Sequence, residues 1–132
     1  MGSVDPCVTS RPRSRRAAAA LVAVLLTGGV LANTHPAFAE TFLVRGLFDG
    51  GFVWRPSPRS IDAGDAIRWK AVEGNHNVQS RGSNWSYFRN LPEGTAVTRT
   101  FNRRGTYRYY CTIHGSVQNG VCSGMCGRIV VG

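Results

Sequence analysis

The chain has 132 residues, with 16 lysines and arginines against 7 acidic residues, a formal charge of +9. This length allows one domain with one modest core. The positive balance would suit a nucleic acid, but no basic run or helix concentrates it and the leader described next points to export, so nucleic-acid binding is set aside. Residues 1–39 read as a cleaved secretory signal peptide. Arg11, Arg13, Arg15 and Arg16 form a positive n-region, Ala17 to Ala32 an apolar core, and Ala37-Phe38-Ala39 a small-x-small cleavage signal. The apolar core, about sixteen residues with two glycines, is short for a membrane span. Ser14-Arg15-Arg16 leaves both the twin-arginine and the general secretory routes open. Cys7 precedes the apolar core, so it is no lipoprotein cysteine and leaves with the leader. Cleavage before Glu40 removes four arginines and one aspartate, leaving twelve basic and six acidic residues on a domain of residues 40–132. No second long apolar run follows, so a soluble, exported protein is expected: periplasmic, held at the cell envelope, or secreted.

In chain order, the domain reads as short strands with no helical period. Thr41 to Arg45 opens it and Asp49-Gly50-Gly51 turns the chain. Phe52 to Trp54 leads into a segment broken by Pro56 and Pro58, best placed at a sheet edge because proline cannot donate to the ladder. Ala63-Gly64-Asp65 turns into Ala66 to Lys70, where Ile67 and Trp69 share one face and Arg68 and Lys70 the other. His76 to Ser80 is a strand. Residues 81–95 read as a loop with a helical turn around Trp85 to Phe88. Ala96 to Phe101 and Thr106 to Cys111 are strands, and Gly127 to Val131 closes the domain. Seven or eight strands in this length point to an antiparallel Greek-key β-sandwich. Trp54, Trp69 and Trp85 read as core, and Tyr107 and Tyr109 share the face of Cys111 and pack beneath it.

Cys111-Thr112-Ile113-His114, Met125 and the upstream His76 carry the chemistry. Outside the leader the chain has two histidines, His76 and His114, and one methionine, Met125, and all three belong to this set. One thiolate, two imidazoles and one thioether form the ligand set of a mononuclear copper site, with two histidines and a cysteine in a plane and a weak axial methionine. A cysteine at a strand end and a histidine three residues later can face one point if Thr112-Ile113 turns. The soft thioether favours Cu(I) and the imidazoles serve both oxidation states, so the set suits a redox relay. Metal binding needs a thiolate and neutral imidazoles, so affinity should weaken in acid.

The segment Gly105-Thr106-Tyr107-Arg108-Tyr109-Tyr110-Cys111-x-x-His114, with Gly124-Met125-x-Gly127-x-Ile129-x-Val131, resembles the C-terminal signature of the plastocyanin/azurin family of blue copper proteins, the cupredoxins. Ala63-Gly64-Asp65-x-Ile67-x-Trp69 and His76-Asn77-Val78 are similar to the family's earlier blocks, in order, so the resemblance spans nearly all of residues 40–132. It implies a cupredoxin-like sandwich holding one type 1 copper ion through His76, Cys111, His114 and Met125. It also implies that Asn77 fixes the ligand loops around the cysteine sulfur. A family member of this kind carries electrons between a redox protein donor and acceptor and turns over no small-molecule substrate. The basic surface would suit an acidic partner, and the protein is expected to be a monomer.

One departure stands out. Ten residues separate His114 from Met125, where the plastocyanin pattern leaves only a few, and the inserted loop 115–124 carries Cys122, with Cys126 following Met125. A Cys122–Cys126 disulfide would stiffen the insertion in an oxidising compartment; two free thiols or a separate metal role are the alternatives. Cys111, His114, Cys122 and Cys126 could instead build a structural zinc site, which would leave His76 and Met125 unexplained. A dinuclear copper centre would need a histidine and a methionine after residue 126, and neither is there. A copper carrier or storage protein that moves no electrons uses the same ligands. A copper enzyme would need further histidines and an open coordination position.

Overall fold

A computed structural model describes residues 38–132; the leader expected at 1–39 lies almost wholly outside them. Nine strands are present among the described residues: β1 Thr41–Phe48, β2 Phe52–Arg55, β3 Arg59–Ile61, β4 Ala66–Ala71, β5 His76–Arg81, β6 Phe88–Leu91, β7 Ala96–Thr100, β8 Gly105–Gln118 and β9 Val121–Val131. They form a sandwich of a four-stranded sheet, ordered β2-β1-β4-β7, and a five-stranded sheet, ordered β3-β9-β8-β5-β6. Pairing is mostly antiparallel, but β1–β4 and β3–β9 run parallel. The parallel β1–β4 pair arises because the chain leaves the first sheet after β2, visits the edge of the second as β3, and returns. Pro56 and Pro58 lie in that crossing, between two edge strands, where no ladder needs their missing donors.

Period-two patterning decides what lies inside. Ile67 and Trp69 of β4 are fully buried while Arg68 and Lys70 face solvent, and Tyr107, Tyr109 and Cys111 of β8 point inward while Arg108 faces out. Trp69 is the centre of the aromatic core, edge-on to Tyr109 at 5.4 Å and to Phe101 at 6.2 Å. Trp85 caps one end, stacked on Tyr87 at 5.9 Å and donating its indole N–H to the Arg108 carbonyl. Among the described residues, Tyr109 Oη and the indole nitrogens of Trp54 and Trp69 are buried without a partner at good hydrogen-bond geometry. Burial pushes the Tyr109 phenol well above its ordinary pKa, the Trp69 indole opposing it weakly.

Three expectations need correction. No helical turn occurs at Trp85 to Phe88; Phe88–Leu91 is instead an edge strand, with His76 opposite Leu91 and Gln79 opposite Phe88. Strand β8 does not stop at Cys111 but runs on to Gln118, and the inserted segment is a β-hairpin rather than a loop. Its tip is Asn119-Gly120, with φ of 50° and 75°. Two successive residues with positive φ make the tight turn whose twist suits a hairpin, and Asn-Gly is the dipeptide that tolerates it best. The strand count is accordingly nine, not seven or eight.

Candidate metal centre

The site is made by an irregularity in the β8–β9 ladder. Tyr110 pairs with Cys126 and Gly115 with Gly124, so four residues of β8, 111 to 114, stand opposite the single residue Met125 of β9. A bulge re-aims side chains that a regular strand would alternate across the sheet. Here it turns both Cys111 and His114 toward one point, as a simple Thr112-Ile113 turn was expected to do. Regular ladder on both sides, including the inserted hairpin, holds the bulge at its two ends.

The third group comes from β5. His76 Nδ1 lies 3.2 Å from His114 Nδ1 and 3.9 Å from Cys111 Sγ, and Cys111 Sγ lies 3.7 Å from His114 Nδ1. Bonds of about 2.0–2.3 Å to nitrogen and sulfur would put three ligand atoms around one ion about 3.5–3.8 Å from each other. The observed triangle fits. His76 and Cys111 are buried and His114 is partly exposed.

Protonation is fixed by the surroundings. His76 Nε2 lies 2.8 Å from the Glu73 carbonyl oxygen, which can only accept, so the proton sits on Nε2 and the Nδ1 lone pair faces Cys111 and His114. Burial lowers the His76 pKa, which keeps the ring neutral and available as a ligand. Phe52 stacks on the His114 ring at a centroid distance of 4.0 Å and meets the His76 ring edge-on at 5.3 Å.

Asn77 is buried beside the bulge. Its Oδ1 accepts from the Thr112 backbone N–H at 2.8 Å and its Nδ2 donates to Thr112 Oγ1 at 2.7 Å. This double clasp ties the residue after Cys111 to the residue after His76. Met125 is fully buried in the same cluster. Gly46 of β1 closes the far side. A Cβ there would lie 2.6 Å from His76 Cδ2 and 3.1 Å from Met125 Cε, so only glycine fits without moving the ring.

Cys122 and Cys126 form a disulfide along β9 that runs from the inserted hairpin, past Met125, to the ladder on the other side of the bulge. Neither sulfur is then a thiolate, which removes two of the four ligands from the zinc alternative. Cys111 is the free cysteine among the described residues. Sequence reasoning named the cluster and the Thr112-Ile113 turn but missed Gly46, Phe52, the Glu73 carbonyl and the bonds of Thr112 to Asn77. A glycine inside an apolar strand signals close approach and could have pointed to Gly46; nothing local marks the other three.

No protein-family model matches the chain. Chloroplast plastocyanin of Silene latifolia subsp. alba is 30% identical over an alignment 130 residues long, gaps included, that covers 84% of this chain and 70% of that one. Among solved structures, pseudoazurin from Methylobacterium extorquens AM1 matches with a TM-score of 0.54 at 23% identity, covering 70% of this chain and 75% of that one. The purple cupredoxin from Nitrosopumilus maritimus matches with a TM-score of 0.52 at 21% identity, over 72% of this chain and 100% of that one. At such identities the structures speak for the fold, and the plastocyanin match speaks for ancestry.

Proposed function

This chain belongs to the plastocyanin/azurin family of blue copper proteins, and from that premise we propose that it is an exported single-electron carrier with one type 1 copper site. The observation that carries this reading is the triangle of Cys111 Sγ, His76 Nδ1 and His114 Nδ1, with separations of 3.2 to 3.9 Å. His76, Cys111 and His114 would hold the ion and Met125 would be the weak fourth ligand. Copper bound there supplies a Cu(I)/Cu(II) couple whose two states share these soft and intermediate ligands.

The chain's own part is to keep the ligands still. The Nε2–H bond to Glu73 orients His76, the Asn77 clasp pins the residue after Cys111, and Gly46 leaves room for the His76 ring and Met125. Ligands held in one place need little rearrangement when an electron arrives or leaves. Three buried ligands and a partly exposed His114 also suit a resident ion better than one handed on, which favours electron transfer over copper delivery. Both histidines are committed to the triangle, leaving none for a substrate-binding copper centre, so the protein is not read as an enzyme. Export rests on the n-region arginines, the apolar core and Ala37-Phe38-Ala39. The first residue of the mature protein, read by N-terminal sequencing, should be Glu40.

The visible absorption spectrum of the Cu(II)-loaded protein tests the site. An intense blue thiolate-to-copper band, lost in Cys111→Ser, is expected. A colourless protein that takes up zinc stoichiometrically would overturn the reading.

A further inference from the structure

Arg81, Arg108 and Arg128 stand opposite one another across three adjacent strands, Arg81 of β5 paired with Arg108 of β8, and Arg108 paired in turn with Arg128 of β9. Like charges directly opposite destabilise a sheet. Among the described residues no carboxylate lies within ion-pair distance of any of the three; the recorded ion pair is Arg55–Asp49, in the other sheet. The three arginines line a cleft of about 300 Å³ together with Ser57 and the Cys122–Cys126 disulfide. The cleft is built rather than incidental. Arg81 donates to the Gly120 carbonyl at the tip of the inserted hairpin, and Ser57 Oγ accepts from the Arg128 backbone N–H at 3.2 Å, leaving the hydroxyl proton free to donate.

We propose that this cleft docks a short acidic segment of the protein with which the carrier exchanges electrons. The proposal rests on the electron-carrier reading and names the surface and the chemistry of the partner. Planar guanidinium forks match carboxylates and bind them through paired N–H···O bonds. Neighbouring strands lie about 4.8 Å apart, so the row spans about 10 Å, the reach of two or three carboxylates rather than of one small ion. Arg108 precedes Cys111 by three residues on the same strand, about 10 Å along it. Cys126, in the wall of the cleft, adjoins Met125. A partner seated there rests on the two strands that bear Cys111 and Met125. The other basic row, Arg55–Arg45–Lys70 across β2, β1 and β4, lies in the sheet without the cysteine and has one member neutralised by Asp49.

Hexaglutamate titrated into isotope-labelled protein, Cu(I)-loaded and metal-free, tests this by amide NMR shifts. Saturable shifts at Arg81, Arg108, Gly120 and Arg128 are expected. The pair Arg108→Ser and Arg128→Ser should weaken binding at least about tenfold, while Arg45→Ser with Lys70→Ser should change it less than about twofold. Arg108→Ser alone should also raise the Tm, because it relieves the opposed charges, so its loss of binding is not loss of fold. Shifts spread evenly over both sheets, or equal weakening by the control pair, would overturn the proposal. So would inorganic phosphate binding the same residues as tightly as the peptide, which would make the cleft a small-oxyanion site. Peptide binding by the metal-free protein does not depend on copper. Failure of the copper reading would therefore appear separately, as a missing blue band with peptide binding intact.

Discussion

Asn77 shows how one side chain can link two ligand-bearing strands. Both ends of its amide are used on Thr112, at 2.7 and 2.8 Å, in a buried setting. Asn77→Ala removes both partners of Thr112, which is itself exposed and can turn to water, so a loss of about 1 kcal/mol is expected from urea unfolding of the metal-free protein. The blue band of the loaded variant should move or weaken as the bulge loosens. Unchanged stability would mean that water replaces the clasp. Tyr109 is the opposite case, a buried hydroxyl with no partner at good hydrogen-bond geometry among the described residues, the Trp69 indole being its nearest polar neighbour. Tyr109→Phe removes the unpaired group and keeps the ring against Trp69, so stability should stay level or rise by up to about 1 kcal/mol. A clear loss would reveal a hydrogen bond to that oxygen. Both residues were legible in part. The family resemblance points to Asn77, and strand alternation points to Tyr109. Neither points to their partners, because a hydrogen bond between positions 77 and 112 depends on a tertiary arrangement that no local pattern encodes.

At the scale of elements, alternation made the central strands readable, since β4 and β8 each bury one face and wet the other. The misread segments lack that contrast. Phe88–Leu91 has three exposed residues and one buried, so an edge strand looked like a loop. The insertion after His114 looked irregular because its two arms are largely solvent-facing. Its identity as a hairpin rests on Asn119-Gly120, the dipeptide that favours a two-residue turn between strands. This hairpin continues the ladder on the far side of the bulge, and the disulfide ties its β9 arm to Cys126 on the near side. Replacing Cys122 and Cys126 by serine frees a short loop. Chain entropy alone puts the cost at about 2 kcal/mol, measured as a lower urea midpoint against the parent protein. The blue band should survive, since neither sulfur belongs to the triangle. Its disappearance would show that the disulfide is needed to present Met125 and the bulge.

The whole molecule depends on a group that must stay uncharged. His76 is 2% exposed, between the two sheets, where it touches Gly46 of one and Cys111 and His114 of the other. Burial is the largest influence on it and lowers its pKa below the ordinary 6.5, with the nearby His114 pushing the same way. In the unfolded chain the same imidazole takes up a proton near its ordinary pKa. The sign follows from linkage: below about pH 6.5 the unfolded state binds a proton that the folded state refuses, so stability falls as pH falls. Above that pH both states are neutral at this position and its contribution is complete. Urea unfolding of the metal-free protein should therefore give a flat stability from about pH 8 to pH 7. It should then fall, by at most about 1.4 kcal/mol per pH unit from this one group, until the folded state also protonates. His76→Gln should remove that part of the slope while leaving any decline due to carboxylates at lower pH. A parent protein as stable at about pH 5.5 as at about pH 7.5 would mean that the cavity accepts imidazolium without penalty. The clamp that holds His76 neutral between the sheets would then play no part in how the sandwich meets acid.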